Sequence, residues 1–348
     1  MTRSATRTAR ASWPLVLASA LACSRATPDA PPPSAGSSSV EQGAPPAIVD
    51  DTAVAKMKLL DPGSPPRRLL RYGWRPRRGE TLTMDLRTAA STEEGANKQP
   101  EIELPPVRIL VAIDPRDVSP QGDLSYAWHV TSAEVTTDPQ TPASLAAGMS
   151  AEVAEVEHLS GTGRVTSRGL SERVSIDASP AAVTDSKGAT GQMVEQVRQT
   201  LRDVAAPLPE EEVGVGARWE KLSQLASRDA RVTQTETFRL VAIAGDSGSL
   251  ADVLAQTAPP QPLRSPGGGP GAPPARIESM LSSGDGTTRF VLSRLVPETK
   301  FQGTTTMVVS SGARSGDAGD TVGDAAHDEG RRVTMIMRVG IVLAGNLR

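Results

Sequence analysis

Beyond residue 54, apolar side chains recur at every second position, and that period decides what this chain can fold into. In "TLTMDLR", Leu82, Met84 and Leu86 share one face while Asp85 and Arg87 take the other. A strand sends successive side chains to opposite faces, so this spacing marks a ribbon with one apolar and one wet side. "VRILVAI" (Val107, Ile109, Val111, Ile113), "LSYAWHV" (Leu124, Tyr126, Trp128, Val130) and "VTMIMRVGIVL" (Val333 to Leu343) repeat it. "LRYGWR" does too, with Leu70, Tyr72 and Trp74 on one side, and further strands are predicted around Val165, Val174, Phe238, Phe290 and Val308. "DPRDVSPQGD", "SGTG", "AGDSGS" and "SSGDG" supply turn signals between them. One-sided strands with short connections predict antiparallel sheet.

Two segments change period. "TGQMVEQVRQTLRDVAAPLP" gathers Met193, Val197, Leu201 and Val204 on one side and stops at Pro207, the pattern of an amphipathic helix. "TPASLAAGMSAEVAEVEHLSG" does the same with Leu145, Met149, Val153 and Val156. The expected fold is mainly β: curved antiparallel sheet, arranged as two related halves and packed on one or two helices. Only three Phe, two Tyr and four Trp are present, so the core is mostly aliphatic. Residues 51–348 are expected to form a single domain. Two Gly-, Pro- and Ala-rich insertions, 258–275 and 311–330, are expected to be disordered loops within it.

The first fifty residues follow different rules. Arg3, Arg7 and Arg10 precede an uncharged run from Ala11 to Ala22, too short to span a bilayer, and "ALAC" places the sole cysteine, Cys23, directly after it. This resembles a bacterial lipoprotein signal peptide with its lipobox, with Ala20 where that family usually has Leu. The resemblance implies that 1–22 is removed, that Cys23 is acylated with palmitate-like chains, and that the protein is anchored in the cell envelope. Ser24 in the following position implies the outer membrane. Each buried CH₂ contributes about 0.8 kcal/mol, so stable anchoring needs more than one chain, as a multiply acylated cysteine supplies. Residues 23–50, rich in Pro, Ser, Gly and Ala, are expected to be a disordered tether. Without the three leader arginines the net charge moves from −3 to −6, which offers nucleic acid and anionic lipid no general attraction.

Further along, "LPEEEVGVGARWE" resembles uncharacterised bacterial lipoproteins built on a domain of unknown function, in which an LP, a VGVGA and a Trp follow a helix. The resemblance extends over 54–348 and implies no activity. Physically, Pro207 and Pro209 stop the helix, and Gly214 and Gly216 permit a tight entry into the strand carrying Trp219.

The candidates for chemistry are few. "AGDSGS" resembles the first block of the GDSL hydrolases, which makes Ser247 a nucleophile, and "DAAH" (Asp324 to His327) resembles their later block, which supplies a base. Only 80 residues separate Ser247 from His327, and no α/β pattern supports that fold. The "GDSG" also echoes trypsin-like proteases, whose histidine comes on the other side. A hairpin turn explains the same residues. Asp317, Asp320, Asp324, Asp328 and Glu329 offer oxygen ligands without an EF-hand pattern, and His129, His158 and His327 stand isolated, so no metal or other cofactor is expected. Glu210 to Glu212 read as solubilising charge. The six arginines around Tyr72 and Trp74 read as a solvent face, or as a surface for phosphate-bearing lipid or cell-wall polymer. The expected function is a binding or interaction module for a lipid or other apolar ligand, or for an envelope protein. A Ser247-dependent hydrolase and an envelope scaffold without a ligand are the alternatives.

Overall fold

The computed structural model describes residues 48–49, 55–75, 78–137, 141–177, 189–226, 231–263, 275–311 and 332–348. Residues 1–22, expected to be a leader, Cys23, His327 and the acidic residues Asp317 to Glu329 lie outside the described residues.

The fold is mainly β, a single open antiparallel sheet. Its first strands are β1 (Ile48–Val49), β2 (Lys56–Asp61), β3 (Glu80–Glu94), β4 (Asn97–Lys98), β5 (Ile102–Val118) and β6 (Leu124–Val135). Helix α1 (Ala143–Ala154) runs into a 3-10 turn (Glu155–His158), then β7 (Ser160–Val165), β8 (Ser171–Ile176) and helix α2 (Ala189–Arg202) follow. The rest is β9 (Arg218–Ala226), β10 (Arg231–Ala244), β11 (Ser247–Ala258), β12 (Gln261–Leu263), β13 (Ala275–Val291), β14 (Glu298–Ser311) and β15 (Arg332–Leu347). The spatial order is β1-β8-β7-β6-β5-β3-β15-β14-β13-β11-β10-β9-β2, with β4 beside β3 and β12 beside β13. Two up-and-down meanders, β3 to β8 and β9 to β15, are thus sewn together where β15 pairs with β3.

The predicted strands other than "LRYGWR" fall into place with the expected faces, and three further differences appear. Ile48–Val49, expected in the tether, adds to β8 as β1. Residues 261–263, expected in a loop, pair with the start of β13 as β12. "SGTG" and "SSGDG", read as turns, lie inside β7 and β13.

The last difference comes from aromatic rings. Gly163 faces Tyr126 and Gly161 faces Trp128 across the ladder. A Cβ at Gly163 would sit 2.1 Å from the Tyr126 ring, and one at Gly161 would sit 2.8 Å from Trp128 and 2.0 Å from the Ser175 carbonyl. Gly248 lies under Phe290 in the same way, and Gly284 under Phe301. A glycine in a strand normally weakens it, but here the missing side chain is the space the ring fills.

"LRYGWR" forms no ladder, although Leu70, Tyr72 and Trp74 are buried as the alternation predicts, with the Tyr72 and Trp74 rings stacked 4.3 Å apart. Residues 62–75 instead form a strap. Arg68 exchanges backbone hydrogen bonds with Val213, Tyr72 N–H donates to Ser167, and Gly73 N–H donates to Leu292. The strap therefore ties the entry of β9 to turns at β7–β8 and β13–β14. Its arginines are partly structural: Arg71 donates to the carbonyls of Pro209 and Glu210, and Arg68 to that of Gly245.

Both helices lie against the first meander, α1 on β6 and α2 on β8, and touch each other. Each half does not have its own helix. Val194, Val197 and Leu201 of α2 and Met149 and Val153 of α1 are buried in one core with Met84, Ile109, Tyr126 and Trp128. After α2 the chain stays buried from Val204 to Pro209 without regular structure. Its carbonyls are met from three directions: Tyr72 Oη donates to Ala206, Trp219 Nε1 to Pro207, and Arg168 Nε to Leu208. Buried backbone needs such partners.

Replacing Gly163 by alanine places a methyl group inside the Tyr126 ring, and overpacking of this kind costs about 1–3 kcal/mol. Chemical denaturation of Gly163→Ala is expected to show that loss with an unchanged slope.

Candidate functional site

The face that carries the core continues past the helices onto the second meander, and ladder register places its residues in rows. One row runs Trp219, Phe238, Asp252, Gly286, Phe301, Ile341, Leu86. The next runs Lys221, Glu236, Leu254, Gly284, Gly303, Val339, Thr88. A third runs Ser223, Gln234, Gln256, Ser282, Thr305, Met337, Ala90. The second and third rows are polar toward β9, as is Asp252 in the first beyond Trp219 and Phe238; on β15 all three rows are apolar.

The polar end is a buried charge network. Lys221 is 8% exposed, and its Nζ pairs with Asp203 at the end of α2 and with Glu236 Oε2 at 2.8 Å. Thr288 donates to Asp252 Oδ2 at 2.6 Å, while Asp252 Oδ1 is buried without a hydrogen-bond partner among the described residues. Burial pulls the Lys221 ammonium down, and the two carboxylates more than offset it, so its pKa is raised overall. Burial pushes Glu236 up against the pull of Lys221, and pushes Asp252 up against the Thr288 hydrogen bond. Gln256 Nε2 donates to Gln234 Oε1 at 2.6 Å, and the Ser282 and Thr305 hydroxyls meet at 2.8 Å. The network pins the C-terminal end of α2 to β9 and β10.

Among the described residues, nothing covers the apolar end. Consecutive residues 305–310 and 333–337 are all half-buried, so neither face of these strands is packed against another layer of the described residues. Phe301, Ile341, Val339 and Met337 on this face lie outside the hydrophobic core cluster. Phe301 is held flat along the sheet by three glycines. A Cβ at Gly284 would meet its ring at 2.3 Å, and one at Gly303 at 3.0 Å.

The residues singled out from sequence are not brought together. Gly245, at φ 54°, and Asp246 form the two-residue β10–β11 turn, and Ser247 opens β11 on its exposed side. His129 is exposed on the face opposite Trp128, as alternation predicts, and His158 is exposed after α1. Glu210 pairs with Arg168, and Glu211 and Glu212 are exposed. Among the described residues, no cluster of His, Cys, Asp and Glu suits a metal ion. Gly214 lies against the Ser64 carbonyl and Gly216 takes φ 88°, the tight entry to Trp219 expected of them. Sequence reading missed Lys221, Glu236 and Asp252. The signal was available for two: Lys221 shares a strand face with Trp219, and Glu236 with Phe238. A charged residue on an apolar face is what a buried pair looks like in sequence.

No family model and no curated protein matches the chain. Among solved structures, Pseudomonas aeruginosa OccK8 (OprE) aligns at 8% identity over 78% of this chain and 98% of its own, with a TM-score of 0.16, too low to carry a fold or a function across.

Removing Lys221 leaves Glu236 buried and unpaired. Lys221→Met is expected to destabilise by about 3 kcal/mol in denaturant unfolding, and Lys221→Met/Glu236→Leu to recover most of that loss. Because the Asp252 pKa is raised on folding, its ionisation penalises the fold above the raised value and vanishes below the unfolded carboxylate range, about 3.9. Asp252→Asn should therefore raise the melting temperature at pH 8 relative to wild type, with the difference closing toward roughly pH 3.

Proposed function

We propose that the chain is a lipid-anchored envelope protein, held by Cys23, whose open sheet is a binding module for an apolar ligand such as an acyl chain. The observation that carries this reading is the uncovered face around Phe301, Val339, Ile341 and Met337, apolar yet outside the core. A half-buried apolar face in water gains stability when covered, at roughly 25 cal/mol per Å². The segments outside the described residues that adjoin it, 264–274 and 312–331, consist of Gly, Pro, Ala and polar residues with Val322 the one larger aliphatic side chain, and are poor covers. A few half-buried side chains expose on the order of a few hundred Å², less than the roughly 800 Å² per partner of a stable protein interface but suited to a small apolar molecule. The glycine floor under Phe301 supports the same reading, because a ring lying flat leaves room above it.

The test is native mass spectrometry of protein extracted from envelopes, together with titration by a fluorescent fatty acid. Saturable binding and co-purified lipid are expected, with binding weakened at least about ten-fold in Val339→Glu. A lipid-free protein that never saturates with the probe overturns the ligand reading. For the anchor, metabolic labelling with palmitate is expected in wild type and absent in Cys23→Ala, which should leave the membrane fraction. An unlabelled wild-type chain overturns that part.

A further inference from the structure

Four of the nine methionines gather at the far end of the uncovered face. Met280 on β13 stands directly opposite Met307 on β14, and Met307 directly opposite Met335 on β15. Met337 opposes Thr305, on the diagonal from Met307 and two residues along β15 from Met335. Opposed residues of antiparallel strands share a face, with Cβ atoms about 5 Å apart and diagonal neighbours about 7–8 Å apart. All four are half-buried and none belongs to the hydrophobic core, unlike Met84, which is fully buried and takes a hydrogen bond from Thr200.

We propose that Met280, Met307, Met335 and Met337 form a thioether site for a soft monovalent cation, Cu(I) or its analogue Ag(I). The side-chain chemistry argues for it. Thioether sulfur is a soft ligand that selects Cu(I) over hard cations, and the long unbranched methionine side chain lets sulfurs from neighbouring strands converge. The positions directly flanking the row, Ser282, Thr305, Ala90 and Thr92, carry no carboxylate; Glu236 and Asp252 on this face lie away from the row, and Glu94 lies two residues beyond Thr92 on β3. An apolar surface alone would be better served here by the β-branched residues that strands favour, as at neighbouring Val309 and Val333. The site goes beyond the acyl-ligand reading and does not depend on it, because leucine in place of methionine keeps the apolar surface and removes the sulfur.

That difference is the test. The full chain carrying Cys23→Ala, which removes the one thiol, is titrated anaerobically against the Cu(I)–bicinchoninate complex. A single equivalent of Cu(I) should be withdrawn, and Met307→Leu and Met335→Leu should each weaken uptake at least about ten-fold with unchanged circular dichroism. X-ray absorption of the loaded Cys23→Ala chain should show sulfur scatterers, a readout that holds even if a leucine variant folds poorly. No withdrawal from the complex, equal uptake by the Met307→Leu/Met335→Leu chain, or a first shell of imidazole nitrogen from His129 or His158 overturns the site. Fatty-acid binding that survives in the leucine variants separates this outcome from the fate of the acyl-ligand reading.

Discussion

The sheet depends on aromatic rings lying against glycine backbone. Tyr126 and Trp128 on β6 cover Gly163 and Gly161, Phe290 covers Gly248, and Phe301 covers Gly284. Each contact brings a ring onto the main chain where any Cβ would collide, and so allows side chains that project from a curved surface to crowd inward without clashing. With so few aromatic residues in the chain, most are used in this way or against the strap. On the first meander, α1 packs against β6 and α2 against β8.

The sheet does not close. The path ends at β1 and β2, and α2, the buried chain from Val204 to Pro209 and the strap of residues 62–75 link its two ends: Ser171 on β8 donates to Arg202, Lys221 on β9 pairs with Asp203, and the strap bonds to Val213 and Ser167. Buried irregular backbone is tolerated there because Tyr72, Trp219 and Arg168 each donate to one of its carbonyls. Arg71 of the strap adds to this by donating to the Pro209 and Glu210 carbonyls, while the exposed Arg68 donates to Gly245 at the β10–β11 turn. Lys221 completes the seam by joining α2 to β9 and β10 through two carboxylates. A buried network of this kind is weak support for net stability but fixes one docking of the helix.

With both helices spent on the first meander, β14 and β15 of the second have no layer of the described residues packed on them. The polar rows near β9 satisfy themselves in pairs, Gln234 with Gln256 and Ser282 with Thr305. The apolar rows near β15 have no such recourse, and Phe301, Val339 and the methionine row are where an external partner gains most. The functional reading and the proposed cation site both stem from this asymmetry in helix placement.

Much of this was readable from residue order alone. Alternation is local, so it assigned the inward faces of β3, β5, β6 and β15, and the change to helical spacing located α1 and α2 with Val197, Leu201 and Val153 facing in. Tertiary structure alone decided the rest, because the deciding partners lie far away in sequence. A glycine run is a turn unless a ring from another strand lies over it, as Tyr126 does over Gly163. Tyr72 and Trp74 alternate like a strand, yet the backbone there bonds to loops instead of a neighbouring ladder, Tyr72 to Ser167 and Gly73 to Leu292. Met280, Met307 and Met335 become neighbours only through strand register, and whether their face is covered depends on where two helices, chosen by packing elsewhere, come to rest.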